Sequence, residues 1–383
     1  MELQDLRANI LVSYGANSVE VAELLAYNKN VFDYSCLSKA INFPLASEAH
    51  VNTWKSYASE ATSKGVFQTL KEKLVQLRFP ISPGISQTSA YQAATRKGIV
   101  ADCIDKNPGL LLRAPEKLQL RIHPSIAGEI PVIITDNRLD FVSLVQALTM
   151  RNEPKDIPAS MGACMVGGFN NWDRIHQYRQ EWQANNPNST ETDWNIEFRQ
   201  LIPRKQLYQD RFIILSQSCY SNVSAEKLGL SATEWQNLSL TIRLEHECTH
   251  YLTKRLFGSM RNNLLDEFIA DYRGIVSAAG NYRDDWFLNF MGLESFPNYR
   301  QGGRLENYRN NLSETSFEIL QKLVYNASRN LKSFETEQVN KIDGAIMLAA
   351  LCQLTLEELA SDDIAAKIHQ AISRIQQDKI CIS

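Results

Sequence analysis

Histidine is scarce in this chain, 6 in 383 residues, and cysteine forms no pattern. The seven cysteines, at 36, 103, 164, 219, 248, 352 and 381, are odd in number and include no CxxC pair. That speaks against a disulfide framework and against a cysteine zinc knuckle. Neither sign of charge is in excess: 40 basic residues against 43 acidic give a net charge of −3. A nucleic-acid surface and a solvating acidic tail are both disfavoured by that balance. Long apolar runs are missing too. The longest, AIMLAALCQL at 345–354, is too short to span a bilayer. The first residues, MELQDLRANILVSYGANSVEV, hold no basic segment followed by an apolar stretch, so no secretory leader is expected. Internal repeats and low-complexity tracts are also lacking. What remains is the composition of a protein with a real core, 44% hydrophobic and 22% charged, expected in the cytoplasm and away from membranes.

The distribution of turn and helix signals suggests three regions. Residues 1–150 read as mixed α/β. In them SEAHVNTWKSYASEATSKGVFQTLKEKLVQL is helical in period, and the strand-like runs LQLRIHPS (118–125) and EIPVIITD (129–136) flank an Ala-Gly turn. Asn137 can cap a helix after the second run. Residues 151–312 read as a catalytic region. It begins with PASMGACMVGG, where Gly167 and Gly168 imply a bend or an extended backbone open to strand addition. A helix near Asn171 and a buried strand RFIILSQSC (211–219) follow. Residues 313–383 read as helical, with Ser313 as a cap.

The strongest helix signal runs from 232 to about Phe257, with Ser231 and Glu234 as a capping box and Gly258 as a stop. Inside it stands LEHECTHYL (244–252). Residues four apart share a helical face, with β-carbons about 6 Å apart. His246 and His250 can therefore bind one cation, and Glu247, one step around, is placed to take a proton from water. Catalytic zinc needs a third protein ligand and an open position.

The next helix, LLDEFIADYRGI (264–275), supplies a source for that ligand. Glu267 and Asp271 are again four apart, and the short connection predicts antiparallel packing against the first helix. Glu267 can then complete the metal set, with Asp266 as the alternative. Asp271 can accept the other ring N–H of a ligand histidine, and Asp266 is a second residue for that outer role. Cys248 and His369 read as packing or surface residues, and His50, His123 and His176 as structural.

HECTH followed by EFIAD resembles the gluzincin branch of zinc metallopeptidases, in which an HExxH helix precedes a helix bearing ExxxD or ExxAD. The matched part covers about residues 231–280. The resemblance implies His246, His250 and Glu267 as ligands of one Zn2+ per chain, Glu247 as general base, and Asp271 in the outer role. It also implies a zincin-like α+β fold: an active-site helix, a third-ligand helix, a small sheet near them and a helical C-terminal part. The metzincin continuation HxxGxxH is absent, since Thr253 and Leu256 occupy those positions.

Peptide hydrolysis also needs a donor for the developing oxyanion. NYRQGGRLENYRNN (298–311) offers Tyr299, Arg304 and Tyr308 around a glycine pair. The resulting expectation is a zinc-dependent hydrolase, a peptidase of narrow specificity acting on a peptide or protein. The alternatives are a metal-dependent amidohydrolase that tailors a small molecule or modified peptide, and a non-catalytic zinc-binding scaffold for a partner protein.

Overall fold

Asn17 and Glu20 close a reciprocal capping box, which starts the second helix of the chain at Ser18. The structure is a computed structural model and describes residues 3–35, 41–100, 109–260, 263–338, 342–377 and 381–382. The chain forms two units, one of Met1–Leu45 with Cys219–Ser383 and one of Ala46–Ser218. This partition differs from the three consecutive regions expected from the sequence. Strand pairing joins residues far apart in the chain, so β elements on both sides of residue 150 share one unit.

The first unit begins with α1 (Leu3–Ser13), α2 (Ser18–Tyr27) and the short β1 (Asn42–Phe43). These segments are tied to residues more than three hundred positions away. Arg7 donates through Nε and Nη2 to the buried Glu357 carboxylate at 3.2 and 3.1 Å, and the Tyr14 hydroxyl donates to the Ala360 carbonyl at 2.7 Å.

The second unit opens with α3 (His50–Lys64) and α4 (Val66–Lys73), divided at Gly65, whose φ of 84° interrupts the single expected helix. After α5 (Ser89–Lys97) come β2 (Gln119–His123) and β3 (Ile130–Thr135), the antiparallel hairpin expected from the sequence. Asn137 caps α6 (Arg138–Thr149) through the amides of Leu139 and Asp140. There follow β4 (Ala163–Asn170), α7 (Trp172–Asn185), α8 (Glu191–Leu201) and β5 (Gln209–Ser216). The sheet has the order β2-β3-β5-β4, with β3 and β5 parallel at its centre. Every residue of β3 is buried, the continuous apolar run of a central parallel strand rather than an alternating one. Ile133, Phe212 and Ile214 pack with Trp54 and Tyr57 of α3 and with Phe141 and Leu144 of α6. Beneath them Asp210 accepts from Arg174 at 2.6 Å, Asn171 at 2.7 Å and Trp54 at 2.8 Å, so its buried charge is fully paired.

The rest of the first unit is helical: α9 (Ala232–Phe257), α10 (Asn263–Ala279), α11 (Asp284–Met291), α12 (Glu314–Glu337), α13 (Gly344–Cys352), α14 (Leu356–Leu359) and α15 (Ile364–Gln377). A last strand, β6 (Cys381–Ile382), pairs parallel with β1. Of the capping box expected at the start of α9, one half forms, the Ser231 hydroxyl accepting from the Glu234 amide at 3.2 Å. The Tyr-, Arg- and Gly-rich stretch 281–311 contains α11. Asp284 and Asp285 sit in its first turn and favour its N-terminus, and Trp286, Phe287, Phe290 and Met291 bury its other face.

The architecture is therefore α+β, mostly helical with one four-stranded sheet. That sheet belongs to the 46–218 unit, whereas the HExxH helix belongs to the other. Among the described residues no helix is long and apolar enough to cross a membrane.

Candidate metal centre

Helices α9 and α10 run antiparallel, as the register of their contacts requires. Ile242 meets Gly274, His246 meets Asp271, and His250 meets Glu267, one partner advancing as the other retreats. Leu264, Phe268 and Ile275 of α10 are fully buried and anchor the pair. At Gly274 the backbones approach so closely that only glycine fits without displacement.

This packing gathers His246, His250 and Glu267 into a group whose ligand atoms all lie within 4.8 Å of one another, a set that could hold a metal ion. Nε2 of His246 and Nε2 of His250 are 3.0 Å apart, and Glu267 places Oε2 3.4 Å from the first and Oε1 3.5 Å from the second. Ligand atoms around tetrahedral zinc, each about 2.0–2.2 Å from the ion, are separated by about 3.3 Å. The donor set fits that ion in type and in spacing.

Asp271, wholly buried, places Oδ1 2.8 Å from His246 Nδ1. An ionised carboxylate only accepts, so this nitrogen carries the proton and Nε2 presents a lone pair. Asp266, also buried, faces His250 Nδ1 at 3.3 Å and imposes the same tautomer by charge, although neither oxygen completes a well-aligned hydrogen bond. The Nε2 atoms of both histidines and the Glu267 carboxylate thus converge on one point, sharing a proton that a cation would displace. Asp266 lies on the Nδ1 side of His250, away from the converging atoms, so it is Glu267 that stands in the group able to hold a metal ion.

Burial holds the His246 imidazolium below its ordinary range. At His250 burial pulls the same way, but the Asp266 and Glu267 carboxylates overcome it and raise the ring well above its usual value. Burial works to raise Glu267, yet hydrogen bonds from the two histidines hold it well below the usual carboxylate range.

Of the three residues expected to stabilise an oxyanion, two reach the cluster, in supporting positions. Tyr308 donates to Glu267 Oε2 at 2.8 Å, and Arg304 pairs with Asp271 Oδ2. Tyr299 does not reach it. Its hydroxyl donates to the Gly303 carbonyl at 3.0 Å and accepts from the Glu306 amide at 3.1 Å, bracing its own loop. The closeness of Gly303 to Gly292 and Met291 sets that loop, since a β-carbon at Gly303 would lie 2.5 Å from the Met291 carbonyl.

Tyr220 and Ser221 belong to the site and carry no spacing signal in the sequence. The Tyr220 hydroxyl donates to Asp271 Oδ1 at 2.6 Å, lies 2.9 Å from His246 Nδ1 and accepts from Arg304 Nη1 at 2.9 Å. Burial pushes this phenol up to about 12, so it stays protonated. Ser221 and Asn222 both adopt left-handed backbone, φ 51° and 55°, costly for residues with a β-carbon. The bend presents the Ser221 hydroxyl to Arg304 Nη1 at 2.9 Å.

Glu247 is half-buried, and its carboxylate makes no hydrogen bond or ion pair among the described residues. Cys248 is buried, and His369 lies exposed against Phe334, both outside the cluster.

No curated protein and no solved structure matches the chain. A family match covers residues 9–363, more than half of the chain, and by it the protein belongs to the family described as "Family of unknown function (DUF7005)".

Proposed function

We propose that this chain is a zinc-dependent hydrolase of the gluzincin type, cleaving peptide bonds with narrow specificity. One observation carries the reading: Nε2 of His246, Nε2 of His250 and the Glu267 carboxylate converge beside Glu247, whose carboxylate makes no hydrogen bond or ion pair among the described residues. A purely structural site would use its acidic residues to close the metal off; here an acid one step from a ligand histidine remains free.

Bound between His246, His250 and Glu267, zinc supplies Lewis-acid polarisation of a carbonyl and makes water more acidic. Glu247 takes the proton of the attacking water and returns it to the leaving amine. Asp271 and Asp266 keep both ring protons on Nδ1, which leaves the Nε2 lone pairs facing the metal position. Arg304 and Tyr220 together neutralise and fix Asp271. Tyr308 fixes one oxygen of Glu267.

The test is elemental analysis of the purified protein followed by hydrolysis of a mixed peptide library. About one zinc per chain is expected, lost in His250→Ala and in Glu267→Ala. Glu247→Gln should retain zinc and lose cleavage. Failure to take up zinc when it is supplied would end the reading. Hydrolysis undiminished in Glu247→Gln would remove the assigned base.

A further inference from the structure

The 46–218 unit holds a cavity of about 490 Å³ that the metal chemistry does not use. Two of its lining residues are cations, Arg96 and Arg151, and none is acidic. Neither arginine makes a hydrogen bond or ion pair among the described residues. Glu153, two residues beyond Arg151, is engaged elsewhere, accepting from the backbone amides of Gly84 at 2.8 Å and Ser86 at 2.9 Å.

The backbone around this cavity is shaped at a cost. Arg151 and Asn152 are consecutive left-handed residues, φ 56° and 59°. The buried Asn152 side chain pins them, donating to the carbonyls of Gln76 and Phe79 at 3.0 Å each and accepting from the Tyr91 hydroxyl at 3.2 Å. Across the cavity, the β-bulge between Gly167 and Phe169 puts Gly168, φ 69°, in the wall.

A second cavity of about 290 Å³ shares Thr95, Arg96 and Asn170 with the first. Its wall is mainly apolar and aromatic, with Trp172, Phe198 and Tyr208. Trp172 and Phe198 are stacked with centroids 6.1 Å apart. A cationic chamber and an aromatic chamber are therefore adjacent, with Arg96 in the wall of both.

We infer that this double cavity binds a small organic anion, with a phosphate or carboxylate head between Arg96 and Arg151 and a flat apolar body against Trp172 and Phe198. Guanidinium groups suit both kinds of head, each offering paired donors to two oxygens.

The experiment is calorimetric titration of the full chain with phenyl phosphate, phenylacetate and inorganic phosphate, repeated on Arg96→Gln, Arg151→Gln and Phe198→Ala. Saturable binding of phenyl phosphate or phenylacetate is expected, and whichever binds more tightly names the head group. Each arginine substitution should weaken it about tenfold, the loss of one charge-assisted pair. Both arginines are exposed at the rim, so these variants should fold as the native chain does. Phe198→Ala should weaken the aromatic anions and leave inorganic phosphate unchanged. Binding unchanged in both arginine variants overturns the inference, as does no binding of either aromatic anion at millimolar concentration. Inorganic phosphate binding as tightly as phenyl phosphate overturns the aromatic half.

Discussion

A β-carbon placed on Gly274 of α10 would stand 2.6 Å from the carbonyl oxygen of Ile242 on α9 and 3.1 Å from its Cγ2. The oxygen belongs to a buried helix backbone and cannot turn aside. Gly274 therefore sets the separation of the two helices one turn from His246 and Asp271. Gly274→Ala should force the helices apart, lowering stability by about 1–3 kcal/mol and weakening zinc binding as well. Urea denaturation and zinc titration on the same preparation check this. Retention of full metal affinity would show that the cluster adjusts independently of helix spacing.

Arg304 compensates the charge of Asp271, which has no exposed surface. Removing one partner of a buried pair costs about 3–5 kcal/mol, because the remaining charge is left without water. Arg304→Gln should lose an amount of that order in chemical denaturation of the metal-free protein. Arg304→Lys should recover little, since a point charge cannot reach Asp271, Tyr220 and Ser221 together. Tyr308→Phe removes one hydrogen bond to Glu267 and should cost about 1 kcal/mol in stability, with zinc affinity falling about tenfold or more.

Metal binding should depend steeply on pH. His250 titrates well above its ordinary 6.5, so near neutrality it carries a proton that a metal must displace. Zinc affinity should rise about tenfold per pH unit until His250's raised value is passed. Calorimetry in buffers of different ionisation enthalpy should register about one proton released per zinc at pH 7. In the metal-free protein the sign reverses. A raised histidine contributes stability that is fully present below its unfolded value of 6.5 and is lost as pH rises through its folded value. Glu267, depressed, contributes stability that is present above 4.5 and lost as pH falls through its folded value. His246, whose value burial lowers, opposes the His250 contribution below 6.5, so chelator-treated protein should be most stable close to that pH. Thermal unfolding across pH, with and without zinc, measures both effects.

In the 46–218 unit, Asp210→Ala should be among the most damaging single changes. It leaves the Arg174 guanidinium buried without its carboxylate and removes the acceptor of Trp54 Nε1 and Asn171 Nδ2. About 3–5 kcal/mol of destabilisation is expected, read by tryptophan fluorescence during denaturation.

Local signals were the legible part of this protein. Asn137, Ser231, Gly258 and Ser313 mark helix ends by chemistry that acts within a turn, and the structure uses each as a cap or stop. His246, His250 and Glu267 were legible because helical period and antiparallel packing suffice to bring them together. Tyr220 was not, because its place depends on a left-handed bend at Ser221 that no residue type announces. Tyr299 illustrates the opposite failure. A tyrosine in a glycine-rich loop has the right chemistry, but the direction of its side chain follows from the contact between Gly292 and Gly303. The sheet's unit was hidden too, since β3 pairs with β5 across the whole of the intervening chain from 136 to 208.

The unit that holds His246, His250 and Glu267 is assembled from two stretches of the chain that residues 46–218 separate in sequence. During synthesis, α1 and α2 emerge well before Glu357 and Ala360, the partners of Arg7 and Tyr14, which follow more than three hundred residues later. At about 5–20 residues per second, the opening helices wait roughly fifteen seconds to a minute on the ribosome for them. The 46–218 segment is complete well before then and has time to fold first. A chain stopped short of Glu357 would carry an intact HExxH helix and still leave its own beginning without a place to dock.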